Sequence, residues 1–220
     1  MRQLPEIFII ILILCSCGQH REEKHLNLGN NVREQKDKLF GLFDTLEHKF
    51  NSLPVNFDSL YVSAKALNIL ADKYENQDEV RLAEVFKICA LIYRLQEDEN
   101  CNPNKSQLLC NKDSLIIIEC YKKAMRIYKN NSDTTSSNFA DALYQLADVY
   151  EQLEKPQLAL PIRTNYLNTM ILKEGLNSER TGSAYLDVSG TYEKLHDKKN
   201  ASYYYSLALE NRKRNNKLIH

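Results

Sequence analysis

One ten-residue frame recurs three times in this chain, and it limits the possible folds more than any other feature. Residues 66–75 read ALNILADKYE, residues 142–151 read ALYQLADVYE, and residues 184–193, AYLDVSGTYE, repeat the frame more loosely. The second and third copies begin 42 residues apart. In the first copy Leu67, Leu70, Ala71 and Tyr74 fall at i, i+3, i+4 and i+7, the spacing of one face of a helix. Nine residues beyond the tyrosines Tyr74, Tyr150 and Tyr192 stand three alanines, Ala83, Ala159 and Ala201. Side chains that small let a following antiparallel helix approach closely. A single helical hairpin cannot bury its apolar face alone, so such copies must stack on one another.

Start and stop signals divide the remainder. Leu39, Phe43, Leu46 and Phe50 recur at helical spacing and close at Leu53-Pro54, which predicts a first helix over 32–51, and Asp58 caps the next. Further helices are expected at about 58–75, 78–96, 113–129, 136–152, 155–174, 178–195 and 198–214. Pro156 falls in a first turn, Gly175 follows Lys173 and Glu174 as a C-cap, and Asp113-Ser114 opens a helix after a polar loop. With six glycines, five prolines and no tryptophan, the chain has little punctuation for a sheet protein. An all-α chain of about eight helices is the expectation.

Over residues 58–214 the pattern resembles the tetratricopeptide repeat family, with a spacing similar to its kinesin light chain type. The resemblance implies a helical-hairpin solenoid of three to four repeats, in which the first helix of each unit lines a concave groove that holds a peptide or partner helix. Carried onto this chain, the groove positions are Asn68, Asp72 and Glu75, then Tyr144, Asp148 and Glu151, then Leu186, Gly190 and Glu193, opposite the leucine and tyrosine face. Five of these nine are acidic, so such a groove would prefer a basic or amide-rich polypeptide. The middle departs from the pattern. Residues 114–128, SLIIIECYKKAMRIY, read as a second helix with Tyr121 and Ala124 at contact positions, but no full first helix precedes them. Two registers stay open: 66–74 as a first helix, or plain alternation of eight helices, which makes 78–96 a first helix through Phe86, Cys89, Ala90 and Tyr93. Short loops favour the alternation.

The N-terminus gives an address. An apolar run from Ile7 to Cys15 follows Arg2, long enough for a signal h-region and short of the roughly 20 residues a membrane helix needs. Cutting before Cys17 places small Ser16 at the cleavage point, whereas cutting before Cys15 would place bulky Leu14 there. The stretch Leu14-Cys15-Ser16-Cys17 resembles the lipobox of bacterial lipoproteins, which implies removal of residues 1–16, lipid on Cys17 and a site in the bacterial envelope, at the outer membrane on its periplasmic or surface face. Residues 17–31 then read as a polar tether, 32–214 as the solenoid and 215–220 as a tail.

That address permits disulfides. The insertion at 97–112 holds Cys101 and Cys110, with Cys89 and Cys120 on the flanking helices. Of three possible connectivities, the nested one, Cys101 with Cys110 inside Cys89 with Cys120, is the geometric favourite. The alternative leaves Cys89 and Cys120 as buried small apolar side chains. Asp44, Asp58, Asp113 and Asp133, each followed by Ser or Thr, resemble the glycosylation acceptor of secreted Bacteroidetes proteins; helix capping explains Asp58 and Asp113 equally well.

Lys plus Arg and Asp plus Glu both number 29, so the chain has no electrostatic footprint for nucleic acid, and Arg212, Lys213, Arg214 and Lys217 read as a solvated helix end. His20, His25, His48, His196 and His220 are scattered, outside any nucleophile, metal or phosphate motif. The expectation is a non-enzymatic interaction module without cofactor, metal or small-molecule substrate, lipid-anchored and acting as scaffold or docking surface for a protein or peptide partner. An extracytoplasmic sensor serving a kinase or DNA-binding output is the alternative.

Overall fold

The computed structural model describes residues 24–51, 57–74, 76–77, 79–100 and 111–218. Among them are eight α-helices and no strand: α1 (Lys24–Asn51), α2 (Phe57–Ala71) with a 3-10 turn at Asp72–Tyr74, α3 (Val80–Asn100), α4 (Asn111–Asn130), α5 (Ser137–Gln152), α6 (Pro156–Glu174), α7 (Glu179–Lys194) and α8 (Lys198–Leu218). The start signals act locally as read. Ser136 and Ser178 sit in extended conformation before α5 and α7, and their hydroxyls accept from Phe139 N at 3.1 Å and Thr181 N at 3.0 Å. Pro156 opens α6 and Gly175, at φ 85°, closes it. Asp58 lies one residue inside α2 and instead accepts from Gln96 Nε2 at 3.0 Å.

The reversals after α4, α5 and α7 share one device. Ser132, Glu154 and His196 adopt left-handed backbone, and the next amide reaches back to Tyr128 O, Tyr150 O and Tyr192 O at 2.8, 2.8 and 2.9 Å. At these three reversals a tyrosine, Tyr150 and Tyr192 of the repeated frame and Tyr128 outside it, thus marks the last turn of the helix.

Each helix runs antiparallel to its chain neighbours and parallel to the helix two further on. Cys89 Sγ meets Ala64 O and Gln96 meets Asp58 across α2 and α3, while Gly182 lies against Asn211 and Ser189 against Ala201 across α7 and α8. Odd-numbered helices touch one another through Asp44 to Arg81, Arg94 to Asp148 and Glu151 to Lys194. Even-numbered ones touch through Asn68 to Cys120 and Asp72 to Lys123. The array therefore has two layers, α1, α3, α5 and α7 in one, α2 and α4 with α6 and α8 in the other. Ala83, Ala159 and Ala201 are buried where paired helices meet.

This arrangement selects plain alternation. Phe86, Cys89, Ala90 and Tyr93 of α3 are all within 1% of full burial, as a first helix requires. The first two copies of the repeated frame start 76 residues apart rather than a multiple of 42. Two helices, α3 and α4, lie between α2 and α5, so those copies fall in opposite layers, whereas the copies on α5 and α7, with α6 alone between them, share one. A second departure concerns α1, which starts at Lys24 rather than residue 32 and takes up part of the segment read as a tether. No proline interrupts 24–32, and extending an existing helix costs far less than nucleating one. At the other end α8 continues past residue 214 to Leu218.

Gly182 shows how tightly α7 and α8 meet. A Cβ there would stand 2.5 Å from Asn211 Oδ1, and Asn211 is pinned, its Nδ2 donating to Leu176 O at 2.6 Å and Ser178 O at 3.0 Å. Overpacking costs about 1–3 kcal/mol, more than the roughly 1 kcal/mol that alanine returns in helix propensity. Gly182→Ala should therefore lower the melting temperature; an unchanged or higher one would mean that Asn211 can move aside.

Candidate functional site

The odd-layer surface of α5 and α7 is where the predicted groove positions and the densest side-chain network coincide. On α5 the buried stripe runs through Leu143, Leu146, Ala147 and Tyr150, which turns Tyr144, Asp148 and Glu151 outward at half-burial. On α7 the same geometry leaves Leu186 48% exposed and Glu193 exposed. Beside Gly190 a Cβ would meet nothing within 4 Å, so this strip is open space.

At its centre lies Arg163 of α6, only 4% exposed, reaching between α5 and α7. Its guanidinium bonds Asp148 through Nη2, donates from Nε to Glu151 Oε1 at 3.2 Å, and holds Asp187 Oδ2 at 4.0 Å from Nη1, which makes no hydrogen bond. Its carbon centre lies 4.7 Å from the Tyr144 ring, which in turn packs on Tyr166 at 5.4 Å. Neighbouring groups complete the set. Arg94 of α3 bonds Gln145 and reaches Asp148 at 3.4 Å, while Thr191 Oγ1 and Lys194 Nζ of α7 donate to Glu151 at 2.6 Å each.

Burial penalises the charges here, and the partners decide each outcome. For Arg163 the carboxylates of Glu151, Asp148 and Asp187 outweigh desolvation, so the guanidinium stays charged. Desolvation likewise pulls Glu151 up, but hydrogen bonds from Lys194, Thr191 and Arg163 hold its carboxyl below the ordinary range. Asp187 goes the other way: desolvation, helped by Asp148 and Glu151, pushes it up to about 6 against the attraction of Arg163. A carboxyl that binds its proton more tightly when folded adds stability below its unfolded pKa, and that stability is lost as pH rises through about 6. Asp187→Asn should therefore melt higher than the parent at pH 7.5, with the gap closing towards pH 4. A variant that melts lower at pH 7.5 by an amount independent of pH would show that the Arg163 attraction outweighs the desolvation.

The predicted groove residues divide between two surfaces. Tyr144, Asp148, Glu151, Leu186 and Glu193 share the odd layer. Asn68 and Asp72 do not join them; they lie in the even layer, where Asn68 Oδ1 accepts from Cys120 Sγ at 3.3 Å and Asp72 accepts from Lys123 Nζ at 2.8 Å. Glu75 lies outside the described residues. The acidic character expected of the groove is reduced at its centre, while Glu193 stays exposed. Asp148 and Glu151 are neutralised by Arg163, Arg94 and Lys194, so a basic or amide-rich partner no longer follows from their charge.

Sequence reading missed Arg163, Arg94, Asp187 and Lys194, since their partners lie on other helices. One signal existed: Arg163 is the sole charged residue in 156–172. Cys89 and Cys120 are buried free thiols, so the bond between them in the nested pairing is not formed. Cys89 donates to Ala64 O at 3.5 Å, and burial raises both thiols, Cys120 to about 12. Cys101, Cys110 and Cys17 lie outside the described residues. No group of three His, Cys, Asp or Glu among the described residues could hold a metal, and no described helix is long and apolar enough to cross a membrane.

No protein-family model matches the sequence, and no curated protein matches it. Among solved structures the chain is similar to the crystal structure of BtubC (BKLC) from P. vanneervenii, at 18% identity over 85% of this chain and 74% of that one, with a TM-score of 0.45. It is also similar to two crystal structures of MamA. One is 16% identical over 90% of this chain and 99% of that one at a TM-score of 0.46, the other 18% identical over 84% and 95% at 0.41. These likenesses assign no residue and no ligand. By its own helices the chain is an all-α, tetratricopeptide-like array of antiparallel helical hairpins stacked in two layers.

Proposed function

We propose that this chain is a non-enzymatic protein-interaction module, held at the bacterial envelope by lipid on Cys17, and that it presents the odd-layer face of α5 and α7 to a polypeptide partner. The observation that carries the reading is the face itself. Tyr144, Leu186 and the open strip over Gly190 form a surface whose central carboxylates, Asp148 and Glu151, are paired within the chain, and rigid helices hold it on both sides. A polypeptide laid there meets an aromatic ring and an exposed leucine beside two carboxylates, Asp148 and Glu151, that already have partners within the chain. The anchor rests on Ser16 before Cys17 and on the short apolar run preceding it.

Both halves can be tested in the producing cell. Cys17→Ala should move the protein from the membrane to the soluble fraction; retention of that variant together with release of Cys15→Ala would overturn the anchor assignment. A photoreactive residue at Leu186 should give a discrete protein adduct, and the same residue at Leu158 of α6, equally exposed, should give none. Adducts of equal yield at both positions would remove this face from the reading.

A further inference from the structure

We propose that the outer face of α8 is a docking site for an acidic amphipathic helix of another protein. The internal repeat supplies the argument. Ala159 of α6 and Ala201 of α8, 42 residues apart, are both buried against the preceding helix, which sets the two helices in phase. In that phase Arg163, Leu167 and Met170 correspond to Tyr205, Leu209 and Arg212. The α6 residues are 4%, 4% and 1% exposed because α7 lies on them, Leu167 and Met170 packing with Ala184, Tyr185 and Val188. Their α8 counterparts are uncovered: Tyr205 is 52% and Leu209 41% exposed, and Arg212 is exposed. Tyr205, Leu209 and Arg212 stand at i, i+4 and i+7, one stripe along the helix.

The stripe on α6 shows what shape such a face accepts, namely one helix laid antiparallel across it. No described residue supplies that helix for α8. Charge indicates its chemistry. α8 carries six basic residues against one acid, Glu210, which is itself paired to Arg214 at 3.5 Å. Lys198 and Lys199 flank the stripe at one end, Arg212 and Lys213 at the other, all exposed. A second copy of α8 laid antiparallel would set basic ends against basic ends, whereas a helix with apolar residues at i, i+4 and i+7 and acids at both flanks would be complementary. A negatively charged lipid surface shares that sign but has no helical ridge to fit the stripe.

This surface is separate from the α5 and α7 face, so the two readings fail separately. A photoreactive residue at Leu209 of the full chain, in the producing cell, should give one adduct whose crosslinked peptide is acidic and has a helical apolar period. Combined Arg212→Glu and Lys213→Glu substitutions should cut the yield about fivefold or more. An adduct to the same chain, to a second copy, to lipid, or to a basic or extended segment would overturn the proposal, as would no adduct or one indifferent to charge reversal.

Discussion

Replacing Arg163 with leucine should destabilise the chain by about 3–5 kcal/mol at pH 7.5, because breaking a buried ion network from one side leaves the remaining charges uncompensated. Three carboxylates would be stranded, Asp148, Glu151 and Asp187, with only Arg94 and Lys194 to answer them. The deficit should shrink as pH falls and the acids take up protons. Because helical arrays transmit stability mainly between neighbours, faster amide exchange should appear in α5, α6 and α7 rather than in α1 and α2. A loss below about 1 kcal/mol at pH 7.5 would mean that solvent already reaches the network, as in an exposed pair. Uniformly faster exchange would argue against the local reading.

Phe86→Ala should cost about 3–5 kcal/mol, the range for deleting a fully buried ring. Phe86 is 0% exposed and belongs to the larger core, which joins α1 through α6. Its ring also lies 5.4 Å beneath Lys123 Nζ, and that ammonium is bonded to Asp72, so the cavity would loosen an inter-helix contact in the even layer as well. Urea unfolding should show a lower midpoint with the slope little changed. A midpoint shifted by a few tenths of a molar or less would show that α3 and α4 collapse into the void.

Local structure was more legible in the sequence than phase. Ser136, Ser178, Pro156 and Gly175 act within one turn, and the helices they bound, α5 through α7, fall within about a residue of expectation. The frame ALNILADKYE was legible as a helix and misleading as a position. Its buried face, Leu67, Ala71 and Tyr74, suits either layer, and only the number of helices before the next copy decides between them. The groove suffered from the same limit. Asp148 and Glu151 look like surface acids until Arg163, 15 and 12 residues on, and Lys194, 43 residues on from Glu151, arrive from other helices. No periodicity within one helix encodes those meetings.

Strict alternation also controls where the ends emerge. Odd helices all begin at one edge of the array and even helices all finish there, so α1 starts at Lys24 beside the edge where α8 stops at Leu218. The opposite edge, with Glu151 and Lys194, is a helix length away, roughly 30 Å for 20 residues. A lipid on Cys17 would act as a short leash, since seven residues reach at most about 25 Å. The first edge would then hang at the bilayer with the basic end of α8, while the far ends of α5 and α7 project outward, so shortening the leash should restrict tumbling without closing off the outer rim.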